Sequence, residues 1–458
     1  MNFNIFRKYD IRGIVGKDLD ENNIFVIAKA FACMVIKKGG KKVCISYDGR
    51  QSSPAFSQSF IKGLVESGLD VVDLGIGPSP YMYFADQELD ADAGVMITAS
   101  HNPPEYNGVK MIVGHSSVVG DEIDTDLVNL IKNQDFVDGT GSVEKLDLIE
   151  KYLEKLLKAL NLNKELNVVW DNGNGAGGQV IERLLPHLPG KHTLMYGEID
   201  PTFPNHHPDP SKHENLKHLQ DKVKELNADI GLAFDGDADR LGVVTNKGRI
   251  ISNDILLAIL ANEELKNKPG SVIVGDVKCS KVFFDKVAEW GGVPKMVQTG
   301  AALIKKQMPQ LNAVLAGEIS GHIIFRECGY DDGIFAAIKM LNVLNNTDKT
   351  IDEILAEYPT TYVTEETRIA VPEKDKWPIV AKITEILKAN PDFEVIDIDG
   401  ARATSDDGII MFRASNTENL LSIRCESLKS EENLKKLLEY LISELVKLDV
   451  NISMSDFF

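Results

Sequence analysis

The sequence predicts an α/β protein of several domains, and three observations support this. First, the chain has 458 residues, which at roughly 100 to 200 residues per domain gives about three or four domains. Second, 43% hydrophobic and 26% charged residues are close to the averages of soluble globular proteins, so several cores can form. Third, short apolar segments alternate with longer amphipathic ones, which is typical of βαβ units around a largely parallel sheet.

Short apolar segments that precede polar or glycine-rich residues are the predicted strands. Examples are Lys42–Tyr47, Asp70–Leu74, Gly94–Thr98, Asn167–Trp170, Asp229–Phe234, Ser271–Val274 and Ala313–Ala316. The segments Ile24–Ile36 and Leu146–Leu160 are predicted helices, the first of them buried. Ligands of open α/β sheets bind beyond the carboxyl ends of the strands, so we expect the chemistry in the residues that follow these strands.

Three segments are predicted domain boundaries: Asp138–Glu144, Asn246–Asn253 and Tyr358–Glu366. The predicted domains are residues 1–146, 147–249, 250–362 and 363–458. The first three share an alternating α/β pattern, although no sequence repeat is strong enough to indicate duplication.

The last domain is predicted to be a small α+β unit. Its predicted elements are a strand from Thr367, a helix at Trp377–Lys388, strands at Phe393–Ile398, Gly408–Arg413 and Leu420–Cys425, and a helix at Glu431–Leu448.

Charge and cysteine content argue against several classes of protein. The net charge of -19 and the isoelectric point near 5.0 argue against a nucleic-acid-binding surface. The five cysteines are odd in number and far apart, which fits neither a disulfide framework nor a zinc site. The N-terminus does not resemble a secretory signal, and Ile24–Ile36 is shorter than the roughly 20 residues that span a bilayer. We therefore expect a cytoplasmic protein with no nucleic-acid and no membrane partner.

The segment Thr98-Ala99-Ser100-His101-Asn102-Pro103-Pro104 comes directly after a predicted strand and places Ser100 in a loop at its carboxyl end. An ordinary turn, in which Ser and Asn bond their own backbone, is one interpretation. A Ser-His-Asp hydrolase is a weaker one, because the chain has no G-x-S-x-G elbow. Taken alone, Ser100 does not decide between these interpretations and a phosphoryl carrier.

The segment Asp235-Gly236-Asp237-Ala238-Asp239-Arg240 places three carboxylates in one loop after an apolar strand. Two like charges about 4 Å apart repel by roughly 4 kcal/mol at an effective dielectric constant near 20, so a neutralising cation is expected. Oxygen ligands of this kind suit Mg²⁺. An exposed acidic turn is the alternative, and an EF-hand is excluded by Arg240 and Asn246 at its sixth and twelfth positions. The D-x-D-x-T/V loop of haloacid-dehalogenase-type phosphatases fits less well.

Two further segments carry weaker signals. Gly317-Glu318-Ile319-Ser320-Gly321-His322 offers a carboxylate and a hydroxyl two residues apart, which suit adjacent sugar hydroxyls. Arg413-Ala414-Ser415-Asn416-Thr417 combines a guanidinium with hydroxyl and amide groups, which suit a phosphate. Alone, the second segment is also compatible with a hairpin turn.

Together with Tyr9-Asp10-Ile11-Arg12-Gly13, these four segments resemble the α-D-phosphohexomutase family, specifically its phosphomannomutase/phosphoglucomutase branch. The similarity spans nearly the whole chain. It implies a heart-shaped protein with three similar mixed α/β domains and a C-terminal α+β domain of the TATA-binding-protein-like class. It also implies a mutase that interconverts hexose 1-phosphates and hexose 6-phosphates of mannose and glucose through a phosphoserine and a bisphosphorylated sugar.

The resemblance implies Mg²⁺ as cofactor, glucose 1,6-bisphosphate or mannose 1,6-bisphosphate as activator, and a monomer or weak homodimer. Ser100 is the implied phosphoryl carrier and, with Asp235, Asp237 and Asp239, an implied metal ligand. Catalytic roles beside Ser100 are implied for Arg12, His101, Lys110 and Arg240. Substrate contacts are implied for Tyr9, Lys278, Glu318, Ser320, His322, Arg413, Ser415, Asn416 and Thr417.

One departure from the family pattern concerns proton transfer. The branch commonly has histidine after Thr299-Gly300, whereas this chain has Ala301, so general acid/base chemistry shifts to Lys110, Arg12 or His322.

Three alternative functions stay open. The first is a phosphoglucosamine mutase, although that branch favours glutamine where this chain has Ile319. A magnesium-dependent sugar phosphatase would use the acidic loop without needing Ser100. A catalytically inactive sugar-phosphate-binding protein is the third alternative.

Overall fold

The computed structural model describes residues 1–415 and 419–457, which form four β-sheets with helices packed around them. Each sheet belongs to one of four consecutive domains, here called domains I to IV. The first three are mixed α/β domains, and the fourth is an α+β domain with an antiparallel sheet.

Domain I has a seven-stranded sheet in the order β1-β5-β4-β2-β3-β7, with β6 paired to β5. The strands are β1 (Ile11–Ile14), β2 (Lys42–Tyr47), β3 (Asp70–Ile76), β4 (Ala93–Ile97), β5 (Tyr106–Val113), β6 (Ser116–Ser117) and β7 (Val143–Lys145). The helices are α1 (Glu21–Lys37), α2 (Ser53–Val65), α3 (Ser79–Glu88) and α4 (Val128–Asn133), with a 3₁₀ turn at Phe3–Ile5 and a π-helical segment at Glu122–Leu127.

Domain II has five strands in the order β12-β11-β10-β8-β9. They are β8 (Leu166–Asp171), β9 (Gly190–Met195), β10 (Ile230–Phe234), β11 (Leu241–Thr245) and β12 (Ile250–Ile251). The helices are α5 (Ile149–Ala159), α6 (Gly178–Leu184) and α7 (Lys217–Leu226), with 3₁₀ turns at Leu185–His187 and His213–Leu216.

Domain III has four strands in the order β14-β13-β15-β16. They are β13 (Val272–Asp276), β14 (Val293–Val297), β15 (Ala313–Gly317) and β16 (Ile323–Phe325). The helices are α8 (Asn253–Asn267), α9 (Lys281–Glu289), α10 (Ala301–Gln307), α11 (Gly333–Asn345) and α12 (Ile351–Leu355).

Domain IV has six strands in the order β17-β22-β21-β20-β19, and β18 also pairs with β22. They are β17 (Tyr362–Val363), β18 (Thr367–Ala370), β19 (Glu394–Ile396), β20 (Ala401–Thr404), β21 (Ile409–Ala414) and β22 (Leu420–Ser427). The helices are α13 (Glu373–Ala389) and α14 (Glu431–Val446), and a 3₁₀ turn at Met454–Asp456 follows them.

The first three domains repeat one strand order that the sequence did not reveal. Four strands of each lie in the orders β3-β2-β4-β5, β9-β8-β10-β11 and β14-β13-β15-β16. In each set three neighbouring strands are parallel and the last strand is antiparallel to them. The loops before these antiparallel strands, residues 98–105, 235–240 and 318–322, are therefore equivalent in position. They contain Ser100, the three aspartates and Glu318.

One hydrophobic core joins the first three domains, whereas domain IV has its own. Tyr81, Trp170 and Phe335, from domains I, II and III, belong to one buried cluster. The buried cluster of domain IV contains only residues of that domain, such as Phe412 and Leu438. Domain IV contacts domain III through polar groups instead, so the two domains are held together chiefly by directional bonds.

All seven predicted strands are present, with ends that differ by at most two residues. In domain IV the structure differs from the prediction in one central strand and in the start of one helix. The strand Ala401–Thr404 was not predicted, and α13 begins at Glu373 rather than at Trp377. Acidic residues at Glu373 and Asp375 favour this earlier start through the helix dipole, and Pro378 is accommodated inside the helix.

Two short strands lie close to the predicted domain boundaries. Ile250–Ile251 pairs with β11 of domain II, and Tyr362–Val363 pairs with β22 of domain IV. All five cysteines are buried and free. Across residues 1–415 and 419–457, no helix is both long enough and apolar enough to cross a membrane.

Candidate active site

The loops of domains I and II meet at Ser100. Its Oγ donates a hydrogen bond of 2.6 Å to Oδ2 of Asp235 and lies 3.1 Å from Nδ1 of His101. Ser100 is only 1% exposed and has a φ of 51°, in the left-handed region that L-residues seldom occupy. The loop therefore holds this hydroxyl against a carboxylate of the neighbouring domain.

Asp235, Asp237 and Asp239 are buried and form a compact group of carboxylates. Three of their oxygens, one from each residue, lie within 4.8 Å of one another. Burial and then the charges of Asp239 and Asp237 raise the pKa of Asp235 well above its ordinary value. Oδ1 of Asp237 is buried and accepts no hydrogen bond from the described residues. The three carboxylates, including the Asp237 oxygen that lacks a hydrogen bond, fit a divalent cation that prefers oxygen ligands.

Lys110 lies on β5 and points at the same carboxylates. Its Nζ is 2.6 Å from Oδ2 of Asp237 and 2.6 Å from Oδ2 of Asp239. Burial alone would lower the pKa of Lys110, but these two carboxylates raise it well above its ordinary value. Ser79, the first residue of α3, also donates to Asp237. The ammonium group is thus fixed beside the carboxylate group.

Two arginines place further positive charge near Ser100. Nη1 of Arg12 donates to the carbonyl of Ala99 over 3.2 Å, and Nε of Arg240 is 3.8 Å from Oδ2 of Asp235. Burial, followed by the charges of Arg240 and Arg12, lowers the pKa of His101 well below its ordinary value. The space around Ser100 is therefore suited to an anion.

The loop of domain III forms a hydrogen-bonded triad. Oγ of Ser320 donates to Oε2 of Glu318 over 3.0 Å and lies 2.8 Å from Nδ1 of His322. Burial favours the neutral form of Glu318, but the bond and charge of His322 outweigh it and lower the pKa of Glu318 to about 2. The pKa of His322 rises to about 9 against the effect of burial, chiefly through Asp239. Glu318 is therefore an anionic acceptor at neutral pH.

Arg413 of domain IV is paired with Asp399, whose oxygens lie 3.0 and 3.2 Å from its Nη2. Its Nε is buried and has no hydrogen-bond partner among the described residues. Ser415 follows on the same strand end and is buried. Asn416 and Thr417 lie outside the described residues, so this loop is only partly described.

Tyr9 and Lys278 bridge domains at the edge of the cleft. Oη of Tyr9 donates to the carbonyl of Thr299 over 2.8 Å, and Nζ of Lys278 lies 3.6 Å from Oε1 of Glu366. Ala301 is the first residue of α10, where its methyl group supplies no titratable nitrogen.

The sequence missed several polar residues that support the site. They are Asp48, Arg50, Ser79, Asp331 and Asp399. Asp48 and Arg50 follow β2 directly, so the rule that ligands bind beyond the carboxyl ends of strands could have identified them. Asp399 lies in a turn with no such signal.

The family models that match the chain cover all four domains. They are the phosphoglucomutase/phosphomannomutase α/β/α domain I at residues 4–138, domain II at 150–248, domain III at 252–362 and the C-terminal domain at 366–443.

Relatives match over nearly their full length. The chain is 38% identical to a phosphomannomutase/phosphoglucomutase of Pseudomonas putida, covering 98% of this chain and 97% of the relative. It is 39% identical to a phosphoglucomutase of Neisseria gonorrhoeae, with coverages of 92% and 93%. A solved structure of a phosphoglucomutase/phosphomannomutase family protein from Burkholderia thailandensis superposes with a TM-score of 0.92 at 36% identity, covering 98% and 99% of the two chains.

The fold and the matches define a four-domain mutase of the phosphotransferase type, as the sequence predicted. The chain belongs to the phosphoglucomutase/phosphomannomutase family.

Proposed function

We propose that the protein interconverts hexose 1-phosphates and hexose 6-phosphates of mannose and glucose through a phosphorylated Ser100. The observation that carries this proposal is the 2.6 Å bond from Oγ of Ser100 to Asp235, inside a group of three buried carboxylates. The names of the relatives from Pseudomonas and Neisseria support mannose and glucose phosphates as substrates. A magnesium-dependent phosphatase that relies on the acidic loop would not need a serine held in this way.

Asp235, Asp237 and Asp239 are the proposed ligands of Mg²⁺, together with an oxygen on the phosphorylated Ser100. When bound, Mg²⁺ neutralises charge on the phosphoryl group that is transferred. Glucose 1,6-bisphosphate or mannose 1,6-bisphosphate is the proposed activator, because either compound can place a phosphoryl group on Ser100.

The chain's own cations surround the reacting phosphoryl group in this proposal. The bond from phosphorus to Oγ of Ser100 breaks as phosphorus bonds to a sugar hydroxyl oxygen, and the proton of that hydroxyl leaves. Arg12, Lys110 and Arg240 stabilise the charge on the phosphoryl oxygens. Ala301 offers no imidazole, so the acid/base role falls to Lys110, Arg12 or His322. The raised pKa values of Lys110 and His322 keep both groups protonated, so the chosen group first gives a proton to the leaving Oγ of Ser100 and then takes up the proton of the sugar hydroxyl. His101 borders this Oγ.

The other loops hold the part of the sugar phosphate that does not react. Glu318 and Ser320 are proposed to bond adjacent sugar hydroxyls, with His322, Tyr9 and Lys278 beside them. The distal phosphate is assigned to Arg413, Ser415, Asn416 and Thr417. After the first transfer, the bisphosphorylated sugar turns around and returns its other phosphoryl group to Ser100, so that the enzyme ends as it began.

The test uses purified protein, Mg²⁺, mannose 1-phosphate and a trace of glucose 1,6-bisphosphate, with the products followed by ³¹P NMR. We expect mannose 6-phosphate from the wild type and a rate close to background from Ser100→Ala. Free phosphate as the main product would support the phosphatase alternative and overturn the proposal, as would full activity of Ser100→Ala. Glucosamine 1-phosphate as a much better substrate would favour phosphoglucosamine mutase.

Three general properties of the protein are also part of this proposal. They are the domain limits 1–146, 147–249, 250–362 and 363–458, a cytoplasmic location, and a monomeric or weakly dimeric state. Strand pairing moves two of these limits slightly, because Ile250–Ile251 pairs with β11 of domain II and Tyr362 with β22 of domain IV. Limited proteolysis with mass spectrometry tests the limits, and light scattering coupled to size exclusion tests the oligomeric state.

A further inference from the structure

Arg50 lies in the turn after β2, and its guanidinium fills the interior of the loop that carries Ser100. The side chain is 1% exposed. All five of its N–H groups have acceptors: Nε donates to Oδ2 of Asp48 at 3.2 Å, Nη1 to the carbonyls of Pro103 at 2.6 Å and Tyr106 at 3.0 Å, and Nη2 to those of Ser100 at 2.8 Å and Asn102 at 2.5 Å. One side chain thus binds three carbonyl oxygens of the loop and one at the start of β5.

The partner of Arg50 fixes the other end of the Ser100 backbone. Oδ2 of Asp48 accepts a hydrogen bond of 2.7 Å from Oγ1 of Thr98, and this Oγ1 accepts a bond of 2.8 Å from the backbone N–H of Ser100. Oδ1 of Asp48 accepts from the hydroxyl of Ser53 at 2.6 Å. The backbone N–H and the carbonyl of Ser100 are therefore both connected to the Asp48–Arg50 pair.

This double attachment matters because of the conformation of Ser100. With a φ of 51°, its backbone is in a region that side chains with a Cβ disfavour, so surrounding bonds must maintain it. In that conformation the carbonyl points to Arg50 while Oγ points to Asp235. A different backbone conformation would turn Oγ away from the carboxylate group.

Arg50 also lies at the junction with domain II, which carries the aspartates. Its guanidinium is 5.5 Å from the centre of the Phe203 ring. The neighbouring Gly49 is so close to domain II that a Cβ there would lie 2.2 Å from Ile199. The turn that holds the Ser100 loop is thus packed directly on the domain that must meet it.

We propose that Arg50, acting with Asp48 and Thr98, is a positioning residue that holds Ser100 in the geometry required for phosphoryl transfer. The proposal rests on the proposed role of Ser100 as phosphoryl carrier. Arginine is required because a lysine ammonium has three donors and no planar fork, so it cannot satisfy four carbonyls and a carboxylate together.

The experiment compares Arg50→Lys, Thr98→Val and Thr98→Ser with the wild type. Arg326→Lys is the control for the change from guanidinium to ammonium, because the exposed Arg326 also donates to two backbone carbonyls, those of Ala313 and Asn312, at the end of β15 that lies away from Glu318. We expect kcat to fall about 100-fold for Arg50→Lys and Thr98→Val, the scale expected when a reacting group is misplaced by about 1 Å. Their KM should change little. Thr98→Ser, which keeps the hydroxyl, and the control should remain close to wild type.

A second measurement separates positioning from a merely structural role. Each enzyme is loaded with glucose 1,6-bisphosphate, the phosphate on Ser100 is quantified by intact mass spectrometry, and its transfer to glucose 1-phosphate is followed in a single turnover. Slower transfer at equal loading supports positioning. The double variant Arg50→Lys/Thr98→Val should lose less than the product of the single losses, because both changes act on Ser100.

The outcomes also separate this inference from the proposed function. Wild-type protein that never acquires phosphate on Ser100 overturns the proposed function and, with it, this inference. If wild-type Ser100 is phosphorylated but Arg50→Lys and Thr98→Val transfer at the wild-type rate, only the inference is overturned. A lowered melting temperature with an unchanged kcat likewise overturns it. Thr98→Val carries the test if Arg50→Lys does not fold.

Discussion

Tyr9 reaches from domain I to domain III, and removing its hydroxyl gives a quantitative test of the contact between these domains. Its Oη donates to the carbonyl of Thr299 over 2.8 Å, and the next residue, Gly300, donates to Glu318. The ring packs so closely on Gly300 that a Cβ there would lie 2.8 Å from Cζ of Tyr9. Tyr9→Phe therefore removes the hydroxyl and keeps the ring in place.

The expected loss of transition-state stabilisation in Tyr9→Phe is the free energy of one neutral hydrogen bond. Such a bond contributes about 0.5 to 1.5 kcal/mol net in a partly buried setting. If the contact forms part of the catalytically competent arrangement, kcat/KM should fall by a factor of about 2 to 13, since about 1.4 kcal/mol corresponds to a factor of ten.

The assay couples formation of glucose 6-phosphate to its oxidation by glucose-6-phosphate dehydrogenase, with NADPH absorbance as the signal. Tyr358→Phe is the control, because Tyr358 packs against Trp290 and is not part of the site. An unchanged kcat/KM for Tyr9→Phe would show that the contact is irrelevant to catalysis. A loss beyond about 100-fold would equally refute the reasoning, because it would require the hydroxyl to take part in the chemistry.

Three further predictions concern the metal, the distal phosphate and pH. Chelation with EDTA should abolish turnover and Mg²⁺ should restore it, and Asp237→Asn should raise the Mg²⁺ concentration for half-maximal activity; full activity in EDTA would contradict the metal assignment. Arg413→Lys should raise the KM for glucose 1-phosphate about 13- to 160-fold, the equivalent of 1.5 to 3 kcal/mol for bonds to a charged group, and an unchanged KM would place the distal phosphate elsewhere. Burial raises the pKa of Asp332 to about 6. The folded state therefore holds this proton more tightly than the unfolded chain, and the stabilisation is lost as the pH rises from about 4 through 6. Asp332→Asn should narrow the gap between the melting temperatures at pH 5 and pH 8 in scanning fluorimetry, and a gap equal to that of the wild type would refute this.

Sequence patterns predicted the strands and the loops that follow them because both depend on local chemistry. The strand Lys42–Tyr47 has the predicted ends, since its buried apolar residues are bounded by polar turns. Ser100 and Asp235 are 135 residues apart, yet the structure brings them together as the resemblance implies. In domain IV, the strand Ala401–Thr404 escaped prediction because it is short and contains Arg402, whose side chain bonds backbone carbonyls of domain III.

Other parts of the site depend on contacts that no local pattern encodes. Arg50 binds carbonyl oxygens, which every residue has, so the identity of its partners leaves no trace in the sequence. Asp399 becomes recognisable only when the fold places it between Arg413 and the backbone of Thr299. The strand order shared by three domains was hidden for a similar reason, because the same topology can be built from different apolar residues.

Because of that shared strand order, the residues of the site come from three different sheets. The Ser100 hydroxyl, the three aspartates and the triad of Glu318, Ser320 and His322 lie in loops that follow strands of three different sheets. The distances among them are therefore set by how the sheets pack and not by any loop alone. The shared core around Tyr152 and Trp170 therefore sets the relative positions of the three sheets. The turnover number should therefore depend strongly on how the sheets are aligned. A conservative core substitution that shifts one sheet by a fraction of an ångström should reduce kcat before it measurably lowers the melting temperature.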